Sequence, residues 1–158
     1  MARMLAARNH NQSPMNKLLM LGVCGLFALR AAAAADDPTA HELHSAQCVA
    51  ALEASADDLA AQVKAGHEEM RTPLLDRLKH GAAFIADSYI QGERDEGRAK
   101  EFLAAAREAQ KALPKAELSA RQLACAQEGA DLLAKADFLS RAVVSRLAQK
   151  RMKKLLES

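Results

Sequence analysis

The stretch TAHELHSAQCVAALEASADDLAAQVKAG, residues 39–66, decides the fold class. Thr39 and Glu42 have the S/T-x-x-E spacing of a capping box, in which each side chain satisfies a backbone N–H of the other residue. Leu52, Ala56, Leu59 and Val63 then recur at intervals of four and three, the seam of an amphipathic helix. Gly66 is a natural stop.

The rest of the chain agrees with that opening. Of 158 residues, 50% are hydrophobic but only 3% aromatic, and alanine alone makes up nearly a quarter. Ile85 and Ile90 are the only isoleucines, and Thr39 and Thr72 the only threonines. Sheets favour branched and aromatic side chains, whereas helices favour Ala and Leu. The composition therefore excludes a β-rich fold. Seven glycines and four prolines exclude collagen-like, mucin-like and strongly disordered classes as well.

Three more helical stretches follow. Thr72 and Pro73 read as an N-cap with proline at the first helical position. Leu74, Leu75, Leu78, Ala82, Ile85 and Tyr89 share a face, and Gly92 closes the helix. Gly81, inside it, suggests close contact with a neighbouring helix. Gly92 to Arg98 is polar and reads as a turn. Ala99, Phe102, Leu103, Ala106, Ala109 and Leu113 form a third helix, ended by Pro114.

From Lys115 the pattern stays helical to Leu156. Leu118, Cys125, Leu132 and Leu139 fall seven apart, with Gly129, Ala136 and Val143 on companion positions. A straight helix of this length reaches about 60 Å and overhangs a small bundle, so a break is expected at Gly129 or at Asp137–Ser140. The expected architecture is an all-α, antiparallel bundle of about four helices, the last one long.

The N-terminus reads as an address. Residues 1–35 contain no acid: Arg3, Arg8 and Lys17 lead into an apolar run from Leu18 to Leu29, followed by Arg30 and five alanines. That is the order of a secretory signal peptide, and the run is short for a membrane span. The expected organisation is a signal peptide at 1–35 and a single helical domain at 36–158, periplasmic or secreted after cleavage. Met15 is an alternative start. Cys24 follows Leu21, Gly22 and Val23, a poor lipoprotein match because Val23 is not small. The full chain carries net charge +2; without 1–35 it has 18 basic against 20 acidic residues, net −2. Such a chain has no electrostatic case for nucleic acid.

Cys48 and Cys125 remain after cleavage, and both fall on apolar seams. In an oxidising compartment they suggest one disulfide between the first and last helices. Stacking at 1.5 Å per residue in a strict up-down bundle leaves them about two turns out of register. His41, His44 and Cys48, at i, i+3 and i+7, share a helix face and are candidate zinc or copper ligands if Cys48 is a thiolate. Glu42 points elsewhere. His67, beside Glu68 and Glu69, and His80, beside Gly81, read as surface residues. No C-x-x-C-H, paired E-x-x-H or Gly-rich phosphate loop implies a cofactor, and no G-x-S-x-G elbow implies a hydrolase.

Ala82, Ile85, Ala86, Tyr89, Gly92, Phe102 and Ala105, with Pro114 ending the unit, resemble a single tetratricopeptide or Sel1-like helical repeat. The resemblance implies a hairpin in which small residues let two helices approach while Tyr89 and Phe102 fill the gap. The small residue of its second helix falls one place late, at Ala99, because Arg98 occupies the slot, and the chain holds no second copy. The C-terminal stretch carries Arg146, Lys150, Arg151, Lys153 and Lys154 with Leu147, Leu155 and Leu156 between them. These cations complement a helix C-terminus, or meet an anionic surface.

The functional expectation is an exported, non-enzymatic helical module that binds a protein or envelope component. Its candidate surfaces are the second–third helix hairpin and the basic C-terminal helix. The alternative is a metal-binding or stress-related periplasmic bundle using His41 and His44.

Overall fold

The computed structural model describes residues 37–158. The expected signal segment, Met15 and Cys24 lie outside the described residues. Helix α1 spans Ala40–Lys64. Its capping box forms as read: the Thr39 hydroxyl accepts from the Glu42 N–H at 3.0 Å, and the Glu42 carboxylate accepts from the Thr39 N–H at 2.8 Å. Past its end, Gly66 takes φ +103°, a left-handed conformation that side chains resist.

The second helix starts differently from the sequence reading. A 3₁₀ turn at Glu68–Met70 runs directly into α2, Arg71–Ile90. Thr72 and Pro73 are therefore already helical, and Thr72 is not the cap. Proline is tolerated there because first-turn N–H groups have no acceptor within the helix. Helix α3 spans Glu96–Lys111 and starts three residues before Ala99, because the Asp95 carboxylate accepts from the N–H groups of Gly97 and Arg98. Helix α4, Lys115–Lys135, follows Pro114. The expected long helix divides at Ala136–Asp137, where the Asp137 carboxylate caps α5, Phe138–Glu157, by accepting from the Ser140 N–H at 3.0 Å. Five α-helices and no strand make up the described residues.

Helix α1 is the axis of the bundle, with α2, α3, α4 and α5 all against it. Contacts fix the directions. His44 meets Glu128 while Cys48 meets Cys125, so α1 and α4 are antiparallel. Glu42 meets Arg98 while Glu53 meets Arg107, so α1 and α3 are parallel. Helix α2 packs on α4 and α5, and α3 packs on α1. The hairpin implied by the repeat resemblance, α2 against α3, does not form as a packed pair. Tyr89 and Phe102 instead line a cleft of about 310 Å³ between α1, α2 and α3.

Two apolar clusters lie along α1. The first joins Cys48, Val49, Ala51, Leu52, Phe84, Cys125 and Ala126. The second joins Ala56, Ala60, Val63 and Leu74, and is closed by half-buried Met152, Leu155 and Leu156 of α5. The tight helix contact is not at Gly81, where an added Cβ would meet only Leu52 Cβ at 3.8 Å. It is at Gly129, where a Cβ would lie 2.7 Å from His80 Cβ and 2.9 Å from the His80 carbonyl oxygen. Gly129 therefore does not break α4; it lets α4 approach α2.

Candidate functional site

The α3 helix places the two cysteines. It has 16 residues against 25 in α1, so the chain turns into α4 roughly 14 Å before the far end of α1. That setback cancels the two-turn offset expected for helices of equal length. Cys48 and Cys125 meet at disulfide geometry, with an S–S distance of 2.04 Å and Cα atoms 5.2 Å apart. Both are buried.

The two histidines singled out with Cys48 separate. His41 turns toward the α2–α3 connection, where Nδ1 lies 2.8 Å from a Glu93 oxygen and Nε2 lies 2.9 Å from an Asp87 oxygen. Both bonds require both ring nitrogens to donate, which only the imidazolium does. The Glu93 bond raises the His41 pKa most; burial opposes it and Asp87 adds to it. His41 is thus a clamp. It is joined by Glu42, whose carboxylate is held below its usual pKa, chiefly by the Thr39 N–H, and which also pairs with Arg98 at 2.9 Å.

His44 stays with Cys48. Its Nε2 lies 2.8 Å from Glu128 Oε2 and 3.8 Å from Cys48 Sγ, and its ring edge meets Phe84. Glu128 is the member of this group that sequence reading missed. It lies three residues after Cys125, a spacing that shares a helix face, but only the α1–α4 register brings it to His44. Of the remaining histidines, His67 pairs with Glu69 on the surface. His80 is half-buried against Gly129, its Nδ1 has no hydrogen-bond partner, and burial lowers its pKa with Arg77 assisting. Reading His80 as a surface residue therefore needs correction.

An apolar groove of about 660 Å³ runs between α2 and α5. Leu139, Val143 and Leu147 line it at intervals of four, with 72%, 58% and 54% of their surfaces exposed. Ile85, Tyr89 and Ile90 face them from α2 and are also exposed. Leu139 and Val143 continued the buried seam in the sequence reading. The break at Ala136–Asp137 resets the register, so they line an open surface instead. The α5 helix bears Arg141, Arg146, Lys150, Arg151, Lys153 and Lys154 against the single acid Glu157. Among the described residues no helix is long and apolar enough to cross a membrane. No family model, curated protein or solved structure matches this chain.

Proposed function

We propose that the protein is an exported, non-enzymatic helical module of the cell envelope that binds a partner's amphipathic helix along the α2–α5 groove. The observation that carries this reading is the exposed row Leu139, Val143 and Leu147 opposite Ile85 and Ile90. Soluble domains seldom leave so many large apolar side chains together in water without a use for them. A groove between two helices accepts a third through anchors spaced by one turn. The cations of α5 select the partner's flank, which is acidic. Export is supported by the acid-free start of the chain and by a cysteine pair that an oxidising compartment would keep joined.

The test is a photo-crosslinking residue at position 143 in the native host. The expected result is one discrete protein adduct, mapping to an acidic amphipathic segment and abolished by Leu147→Asp. Adducts to lipid alone, or protein adducts indifferent to Leu147→Asp, would overturn the reading. Binding to phosphatidylglycerol vesicles in place of a protein adduct would make the basic helix a membrane contact instead.

A further inference from the structure

Two helices bring metal-ligand side chains to one point. His44 and Cys48 lie one turn apart on α1, at i and i+4, and Cys125 and Glu128 lie at i and i+3 on α4. His44 Nε2, Cys48 Sγ and a Glu128 oxygen all fall within 4.8 Å of one another. The Cys125 sulfur, at bonding distance from that of Cys48, belongs to the same point. In the disulfide form the sulfurs offer no thiolate, and Glu128 and His44 hold each other across 2.8 Å.

We propose that His44, Cys48, Cys125 and Glu128 form a zinc site that opens when the disulfide is reduced. The reductant is a protein dithiol: its two thiols become a disulfide, and the Cys48–Cys125 bond becomes two thiols. Zinc then displaces the two thiol protons, giving two thiolate bonds, one imidazole bond and one carboxylate bond. The two protons leave to solvent, and the atoms and electrons balance.

The donor set suits zinc, which is tetrahedral with Zn–S near 2.3 Å and Zn–N and Zn–O near 2.0–2.2 Å. The edge of such a tetrahedron holds two sulfurs roughly 3.8 Å apart, so the site exists only once the Cys48–Cys125 bond is broken. His44 Nε2 already lies beside both the Cys48 sulfur and the Glu128 carboxylate, so an ion between them meets all three, and the neutral ring keeps its single proton on Nδ1, so that only the two thiol protons are released. His44 and Glu128 are half-exposed while both cysteines are buried, which gives the ion a way in and the thiolates a dry seat. His41 is outside the site, since two carboxylates engage its nitrogens. Zinc would thereby replace the disulfide as the link between α1 and α4.

The experiment compares protein isolated from its host before and after anaerobic reduction with a water-soluble phosphine, using Co²⁺ as the probe and Zn²⁺ as competitor. Expected for the reduced form alone are one equivalent of bound cobalt, thiolate-to-cobalt charge-transfer absorption and intense tetrahedral bands, all erased by zinc. His44→Ala and Glu128→Gln should each weaken zinc binding at least about tenfold, the loss that follows removal of even a ligand's supporting partner. His41→Ala should leave the affinity unchanged. Reduced, folded protein without charge-transfer absorption overturns the proposal. So does cobalt affinity that reduction does not alter, or that His44→Ala and Glu128→Gln do not weaken. If reduction unfolds the chain, refolding on addition of zinc supports the site and failure to refold overturns it.

Discussion

The two halves of α1 are held by different physics. The first half, around Cys48, combines a covalent link with a dense polar surround. His41 is clamped by two carboxylates, Glu42 pairs with Arg98, the Gln110 side-chain amide donates to the Gln47 carbonyl at 2.8 Å, and His44 pairs with Glu128. The second half, from Ala56 to Val63, is closed by apolar contact with Leu74 and with the last turns of α5. Alanines provide much of the buried surface of α1, and each buries little area. A thin apolar yield is offset in one half by linkage and in the other by a late-arriving helix.

The sharpest way to break the comparison is to cut the link. The loop closed by Cys48 and Cys125 spans a sequence separation of 77, for which chain entropy gives about 4–5 kcal/mol as a ceiling and about 2–4 kcal/mol in practice. Cys48→Ser and Cys125→Ser should each lower urea stability by similar amounts in that range. The double variant should fall no further, because each single change already breaks the same bond. Denatured, unreduced protein lacking residues 1–35, and with them Cys24, should show no titratable thiol. Equal stability of wild type and both variants would mean that the polar surround, not the bond, holds this half.

Leu74→Ala attacks the other half. Leu74 is fully buried in the second cluster, and truncating such a leucine costs about 2–5 kcal/mol. Met152, Leu155 and Leu156 rest on the same cluster, so amide exchange in the last turns of α5 should quicken in this variant while the Cys48 region keeps its protection. Uniform loss of protection along α1 would erase the distinction between the halves.

Two glycines give a smaller and signed test. Gly129→Ala puts a methyl against the His80 backbone, which cannot swing away, and should cost about 1–3 kcal/mol. Gly81→Ala has ordinary contact distance to Leu52 and should gain up to about 1 kcal/mol from helix propensity. Thermal melts of the two variants should therefore move in opposite directions.

What sequence reading could and could not reach follows the same division. The capping box at Thr39–Glu42, the stop at Gly66, the all-α class and the facing of Cys48 and Cys125 depend on local pattern or on seams, and the chain states them. The α1–α4 register does not lie in any local pattern. It depends on α3 being 16 residues long, and that length follows from the Asp95 cap, which hid inside a stretch read as a turn. Thr72 and Pro73 imitate a helix start but are preceded by a 3₁₀ turn that begins the helix sooner. Glu128 was invisible as a partner of His44 because acids on helix surfaces are common and only the register selects this one. The apolar groove was invisible because Leu139 and Val143 fit a heptad that Asp137 interrupts.

The finest test sets two histidines against each other by pH. The folded-state pKa of His41 is raised, chiefly by Glu93, so its contribution is fully present below the unfolded value of about 6.5 and is lost as pH rises through the folded value. His80 is the reverse: burial lowers its pKa, so its contribution is present above about 6.5 and is lost as pH falls through the lowered value. The two slopes oppose, and the wild-type stability profile through this range should be flatter than that of either variant. His41→Gln should leave stability rising with pH, as His80 sheds its buried proton. His80→Gln, which also tests tolerance beside Gly129, should leave stability falling with pH, as His41 releases Glu93 and Asp87. The His41 contribution is expected to stay below about 1 kcal/mol in total, because its side chain is 38% exposed and screened by solvent. Added salt should shrink the His41 slope, which is set by charge pairs near water, more than the His80 slope, which is set first by burial. Equal salt sensitivity of the two slopes would place both histidines in the same kind of environment and contradict the clamp at the first half of α1.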